Sequence, residues 1–185
     1  MLFRFNTGVT GNASVLKQIC STVISEAGYA PAVITRSAST DLAGVEMTQT
    51  SFRPLISLRL KNNYTDKVVV PVRADLYGLQ TTPFVYKIIM NANISGGTWN
   101  TLGSDSVVEY NSNATILNSG GIELMQGMFN GGPYVQPVVI DLKQHNHSLQ
   151  LRANISGNAE ILSVVVKSTT NNDDALGSLS WEEYT

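Results

Sequence analysis

The sequence predicts an all-β protein, an antiparallel β-sandwich of the jelly-roll type, preceded by an N-terminal arm and one α-helix. Three apolar runs follow one another at residues 55–61, 68–77 and 84–94, and each alternates with the period of two that places side chains on opposite faces of a strand. Shorter runs continue to the end of the chain between turns rich in Gly, Asn and Ser. Together they make about eight to ten strands without βαβ alternation, which is typical of sandwiches and jelly rolls.

The alternation also predicts which side of each strand is buried. In the second run the expected buried set is Val68, Val70, Val72, Ala74 and Leu76. Further strands are expected at 106–110, 114–117, 121–125 and 135–142, with an exposed loop over 125–134. Residues 147–155 and 159–167 predict a hairpin, and 176–184 a last strand.

The first part of the chain predicts a separate attachment segment. Residues 12–27 carry apolar side chains at helical spacing, with Gly28 placed to end the helix. This stripe either packs on the β domain or associates with other copies through Val15, Leu16, Ile19 and Val23. Residues 28–53 show only two short strand signals, at 32–35 and 45–48, and predict a wrap around a neighbour or a mobile arm. The expected division is therefore an arm, helix and docking segment at 1–52 and a sandwich at 53–185.

Composition restricts the possible partners. Charged residues make up 14% of the chain and the net charge is −2, without a cluster of Lys and Arg, so neither nucleic acid nor an anionic membrane is an expected partner. There is no signal-peptide pattern and no apolar run long enough to span a membrane. Polar neutral side chains replace the missing charges. Such a surface suits contact with other subunits or with a neutral ligand such as a sugar.

No pattern of catalytic, cofactor-binding or metal-binding residues is expected. The pair His145 and His147 has only Asp141 as a nearby carboxylate in sequence, and loop histidines in a polar setting are usually surface residues. Asp173 and Asp174 lack the spacing of a calcium loop and predict a solvated turn. The protein is therefore not expected to be an enzyme.

Two aromatic side chains are candidates for facing a ligand. Trp99 and Tyr134 lie near turns rich in Gly and Asn, as sugar-stacking rings do in lectin-like sandwiches. Aromatic residues in such places also close the ends of a sandwich core. The sequence leaves both interpretations open.

Several short phrases resemble virion structural proteins of tailed bacteriophages. They are the end of the expected helix at 25–31, the strand at 53–61, the turn at 95–99 with the Val-Glu-Tyr strand that follows it, and the close at 177–183. The resemblance implies a jelly roll or related sandwich in symmetric copies on a virion, attached to other virion proteins through the N-terminal segment, as a capsid decoration, neck, baseplate or tail-fibre component. A trimer is the preferred oligomer, because a closed ring covers sheet edges. The alternative function is a carbohydrate-binding module that adheres to a host-surface glycan.

Overall fold

The computed structural model describes residues 33–64, 66–145, 149–153 and 157–184. These residues form thirteen strands and a single four-residue helical turn, so the prediction of an all-β protein is confirmed for this part of the chain. The elements are β1 Val33–Ser39, β2 Val45–Met47, β3 Arg53–Leu60, β4 Val68–Gly78, β5 Pro83–Met90, β6 Asn93–Ser95, β7 Asn100–Thr101, β8 Val108–Asn111, β9 Ile116–Ser119, β10 Ile122–Asn130, β11 Val138–Asp141, α1 Leu142–His145, β12 Ile161–Ser168 and β13 Asp173–Tyr184.

The strands make two large antiparallel sheets and one small one. The first sheet has the order β1-β13-β4-β11, and β2 also pairs with β13. The second sheet has the order β10-β5-β12-β3-β8-β7, and β6 pairs with β9 separately. Every strand pair is antiparallel. The antiparallel sheets that the sequence predicts are therefore present.

The core lies between the two large sheets. Strands β3 and β12 sit in the middle of the second sheet and are buried along nearly their whole length. Opposite them, β13 alternates strictly, with Leu179 and Trp181 fully buried. The sheets approach closely at Gly177, where an added Cβ would lie 2.5 Å from the Leu55 side chain. A glycine is needed there because of this close approach, not because of its backbone conformation.

The expected buried face of β4 is correct for only half of the strand. Ala74 and Leu76 are buried as predicted, but Val69 is buried in place of the expected Val68 and Val70. The pairing register with β13 shifts between Ser180 and Trp181, where one residue of β4 has no direct partner. Such a bulge inserts one residue and so exchanges the two faces of the strand beyond it.

The hairpin expected from residues 147–155 and 159–167 is present beside its turn but does not continue along β12. Ala153 forms an isolated antiparallel bridge with Ala159, and the Glu160 N–H donates to the Arg152 carbonyl at 2.8 Å. Strand β12 is buried on both faces as predicted, but it pairs with β3 and β5. Leu151 forms another isolated bridge, with Val69 of the first sheet. The alternating pattern therefore predicts the contact beside the turn correctly but not the two strands that flank β12.

Residues 33–47 take part in the first sheet. β1 pairs with β13 along all seven of its residues, and β2 continues on the same strand. The strand signals in this part of the sequence are therefore real, and they lie before the boundary expected between residues 52 and 53. The expected N-terminal arm and helix, with Val15, Leu16, Ile19 and Val23, lie outside the described residues. The division into a docking segment and a sandwich stays a prediction.

Candidate assembly surfaces

The two aromatic candidates for ligand contact lie at opposite sides of the molecule. Trp99 comes just before β7 at one edge of the second sheet, while Tyr134 follows β10 at the other edge. Strands in a sheet are about 4.8 Å apart, so the four strands between β10 and β7 separate the backbones of these two edges by roughly 20 Å. The structure does not bring Trp99 and Tyr134 into one platform.

Their surroundings also differ. Trp99 is half-buried, and the Arg59 guanidinium carbon lies 4.1 Å from the centroid of its ring. Arg59 is in turn held by Glu109, with 2.8 Å between Nη2 and Oε2. One face of the indole is thus already occupied by a cation. Tyr134, in contrast, is 98% exposed.

An apolar depression lies on the outer face of the first sheet. A cavity of about 190 Å³ opens there between the β1–β2 loop and strands β4 and β13. The apolar side chains of its lining that lie on the outer face, which we call the outer-face patch, are Leu42, Tyr77, Pro137 and Leu176. Tyr77 and Leu176 are direct cross-strand partners, so their side chains share one face. Leu42 stands beside the cavity and is 87% exposed.

The loop that carries Leu42 is a defined turn. The backbone N–H of Ala43 donates to the Asp41 carboxylate at 3.0 Å, and the N–H of Gly44 donates to the Asp41 carbonyl at 3.0 Å. Gly44 has a φ of +83°, which side-chain-bearing residues rarely adopt. This turn exposes the Leu42 side chain to water, where a polar side chain would be more favourable in hydration free energy.

The outer face of the second sheet is treated differently, because the chain covers it itself. Ile89 and Val165 lie on the outward side of this sheet, and with Ala92, which follows β5, they form a second buried cluster. Phe52, Ile94 and Leu117 pack on them, the last two from the small β6–β9 sheet. The Phe52 ring also lies 5.0 Å from the Lys87 ammonium and 5.3 Å from that of Lys167. Among the described residues, no such cover lies over the outer-face patch of the first sheet.

A buried carboxylate fastens the end of β13, and the sequence reasoning did not identify it. Glu183 is fully buried, with Ser106 Oγ donating to it at 2.7 Å and Trp181 Nε1 at 2.9 Å. Arg36 Nε and the Val107 backbone N–H each donate at 3.2 Å. The carboxylate therefore joins β1 and β13 of the first sheet to the segment that leads into β8 of the second.

A second buried carboxylate, Asp173, lies at the start of β13. Hydroxyl groups of Ser168, Thr170 and Thr82 all donate to its Oδ2, the last at 3.1 Å. Burial favours the neutral acid, but these hydrogen bonds outweigh burial and hold the pKa of Asp173 below its usual value. Asp173 is therefore a structural anchor, and not the solvated turn residue that the sequence suggests.

The part of the chain that the structure describes contains no group of three His, Cys, Asp or Glu side chains placed to hold a metal ion. His147 lies outside the described residues, so the expectation for the His145 and His147 pair stays untested. Arg73 and Asp75 form an ion pair, at 2.7 Å between Nε and Oδ1. It lies on the outer face of the first sheet, where Asp75 also lines the cavity.

A polar cleft of about 560 Å³ lies between the β1–β2 loop and residues 112–113. Its lining includes the side chains of Asp41, Glu46, Arg53 and Asn113, and no aromatic ring. Arg53 donates from Nη1 to the Glu46 carbonyl at 2.9 Å. The cleft thus lacks the stacking surface that a sugar site on this protein was expected to use.

Comparisons with known proteins add little to this geometry. No protein-family model matches the chain, and no curated protein matches it. Among solved structures, a chain of Desmodium yellow mottle tymovirus matches at 11% identity, covering 98% of this chain and 96% of that chain, with a TM-score of 0.37. A TM-score this low does not establish a shared fold. Within the described residues, no helix has the length and apolarity needed to cross a bilayer.

Proposed function

We propose that this protein is a non-enzymatic structural protein of a virus particle, in which it assembles with copies of itself. The observation that carries the proposal is the outer-face patch, an apolar surface with an exposed leucine that the described chain leaves open. On the second sheet the chain covers outward-facing apolar side chains itself, so an open apolar face on the first sheet indicates contact with another protein.

The order of the strands supports this function. When the five short strands β2, β6, β7, β8 and β9 are left out, eight strands remain, with the orders β1-β13-β4-β11 and β3-β12-β5-β10. Numbered again from one to eight along the chain, these strands have the order 1-8-3-6 in one sheet and 2-7-4-5 in the other. We infer that this is a jelly roll, in which successive strands pass from one sheet to the other. Viral capsid domains and lectin domains both use this architecture.

The finer assignment rests on the sequence resemblance. On that basis the protein is a component of a tailed-bacteriophage particle, as a decoration, neck, baseplate or fibre protein, with a trimer as the preferred oligomer. Residues 1–52, or the part of them before β1, attach it to other virion proteins. A carbohydrate-binding module is the weaker alternative, because Trp99 and Tyr134 are far apart and Arg59 covers one face of the indole. A glycan array probed with the full chain tests that alternative directly.

The decisive experiment is to look for the protein in purified particles. Mass spectrometry with labelled standard peptides should find it in a fixed copy number that is a multiple of the symmetry of its position. Reconstruction of the same particles should show its jelly-roll density. Its absence from purified particles would overturn the proposal.

A variant of Leu42 tests the role of the outer-face patch. Burying a leucine contributes about 1.5–3 kcal/mol, so Leu42→Ser should weaken association through this face by roughly 10- to 100-fold. Ile116→Ser is the matched control, since Ile116 is also exposed but lies on β9, which belongs to the small sheet. Sedimentation equilibrium of both variants measures the effect. Equal association of the two variants would exclude the patch as a contact.

A further inference from the structure

Strand β10 has a backbone edge that no other strand of the described residues covers. It runs for nine residues at the end of the second sheet and pairs on one side with β5. Among the described residues no strand pairs with its other side. The sequence reasoning expected a loop over 125–134, but β10 continues to Asn130. Half of the N–H and C=O groups of an edge strand point away from its only neighbour, so they are available to another chain.

The other edges of the two large sheets carry features that discourage such pairing. β11 has four residues and follows directly on Pro137, which cannot donate to a ladder. β7 has only two residues. β1 carries Arg36 at its centre, and that guanidinium is fixed by Asp105 at 2.8 Å. Short length, proline and charge are the usual means of protecting an edge.

β10 has only one such feature, and it lies near the start of the strand. A bulge interrupts the register between Glu123 and Met125, and Glu123 is the one charged residue of β10. Its carboxylate is held by Lys87, at 2.6 Å between Nζ and Oε2. Beyond the bulge, Met125–Asn130 pairs regularly with β5 and contains neither charge nor proline. This stretch is the part of the edge that is open to a partner.

The charge distribution of β10 suits a second copy of the same strand. In antiparallel pairing about a two-fold axis within Met125–Asn130, the two Glu123 side chains lie at opposite ends of the paired stretch. No like charges therefore face each other, and the uncharged residues meet one another. Pairing with a strand of a different protein would not require the only charge of β10 to lie at one end, whereas pairing of β10 with itself does.

Four of the eight large apolar side chains that are exposed among the described residues lie on β10, on β11 or in the loop between them. Ile122 and Met128 belong to β10, Tyr134 lies in the loop that leads from β10 to β11, and Val139 belongs to β11. Met128 is 67% exposed and lies opposite Val85 of β5, near the middle of the open stretch. A partner strand placed along β10 would bury this side chain. Backbone pairing and apolar burial thus act at one place.

We propose that two copies of this protein pair along β10, with Met125–Asn130 of each forming a continuous antiparallel sheet across a two-fold axis. The pairing joins the second sheets of both copies and supplies about six backbone hydrogen bonds from six residues on each side. It deepens the proposed function and rests on it, because it names the contact through which one copy meets the next. Such a contact is isologous, with the same surface used by both partners.

The test uses opposite charges at Met128. In either register centred near the middle of the stretch, the two Met128 side chains are direct or diagonal neighbours, so Met128→Lys or Met128→Glu brings like charges together. Each variant alone should associate at least ten-fold more weakly than the wild type in sedimentation equilibrium. An equimolar mixture of the two variants should recover association, since a lysine then faces a glutamate. Ile116→Lys and Ile116→Glu are the controls and should leave association unchanged.

Hydrogen exchange gives an independent measurement. In the wild type, amide protection of Met125–Asn130 should rise with protein concentration and fall again in Met128→Lys. Unchanged association of both charge variants, or a wild type that stays monomeric, overturns the pairing along β10. Loss of association without recovery in the mixture also overturns it, because the partner strand is then not β10. Detection of the protein in purified particles decides the proposed function separately, whichever result the Met128 variants give.

Discussion

Replacing Glu183 by glutamine removes a negative charge from the interior of the sandwich while nearly preserving the volume of the side chain. The carboxylate accepts from Ser106 and Trp181 on Oε1, and from Arg36 and Val107 on Oε2. A glutamine has one acceptor oxygen and one donor NH₂ group. In either orientation of the amide, its NH₂ group faces two hydrogen-bond donors, which are either Ser106 and Trp181 or Arg36 and Val107.

The least unfavourable orientation can be read from the partners. A serine hydroxyl can rotate and accept, whereas the indole, guanidinium and backbone N–H groups cannot. The glutamine should therefore place its NH₂ towards Ser106 and Trp181. The indole N–H of Trp181 is then left without an acceptor in the core, which costs about 1–3 kcal/mol, and the bonds from Arg36 and Val107 lose their charge assistance. A total of about 3 kcal/mol follows, or a decrease in Tm of roughly 6–12 °C for a chain of this length.

Thermal unfolding followed by circular dichroism, with urea unfolding at neutral pH as a second measurement, determines the cost. The control is Asp105→Asn, which removes the other carboxylate bound to Arg36. Asp105 is 72% exposed, so water replaces its contact and the Tm should hardly change. A Glu183→Gln protein as stable as Asp105→Asn would refute the view that buried donors at Glu183 link the two sheets.

Three further substitutions test two other contacts of the core. The lowered pKa of Asp173 means that its carboxylate contributes stability above about pH 4, which is lost as the pH falls through that lowered pKa. Asp173→Asn should therefore be less stable than the wild type at pH 7, and the difference should shrink towards pH 2 in urea unfolding; a constant difference would contradict it. Gly177→Ala should cost about 1–3 kcal/mol through contact with Leu55, and Leu55→Ala should cost less in the Gly177→Ala background than alone. Strict additivity in that double-mutant cycle would show that the two residues do not compete for space.

The sequence predicted the strands whose burial is decided locally. β3, β5, β12 and β13 lie close to their expected positions, because alternation or continuous apolar character reflects which faces meet the core. Strand neighbours were harder to predict, since pairing depends on residues far apart in the chain. β12 lies between β3 and β5, and both of these strands end more than 70 residues before β12 begins. The alternation within one strand does not indicate which distant strands it pairs with.

Two errors have identifiable physical causes. The bulge in β4 exchanges its faces, and nothing in a run of valines marks the extra residue. The run Asn-Gly-Gly-Pro at 130–133 favoured a loop over 125–134, and Gly127 did not argue against it. Gly127 instead sits in β10 because the Tyr86 ring fills the space that a side chain would need, with the hydroxyl 2.5 Å from an added Cβ. A glycine required by close packing and a glycine required by a turn look the same in a sequence.

The buried carboxylate site was missed although a signal was present. Leu179, Trp181 and Glu183 occupy the same phase of β13, so the sequence places a charge on the buried face of a strand. That pattern indicates a carboxylate with partners of its own. The partners could not be inferred, because Arg36 and Ser106 lie 147 and 77 residues away.

The scarcity of charge takes on a more definite meaning once the ion pairs are located. Arg36, Arg59, Arg73 and Lys143 all bind carboxylates of the same chain, and so does Lys87 beside β10. These charges pair within one copy, while Met125–Asn130 of β10 and the outer-face patch consist of apolar and neutral groups. A two-fold contact along β10 closes on itself and makes only a dimer, so a larger assembly needs a second, different surface. The outer-face patch lies on the other sheet, and two such surfaces on one subunit are what an extended or closed assembly of many copies requires.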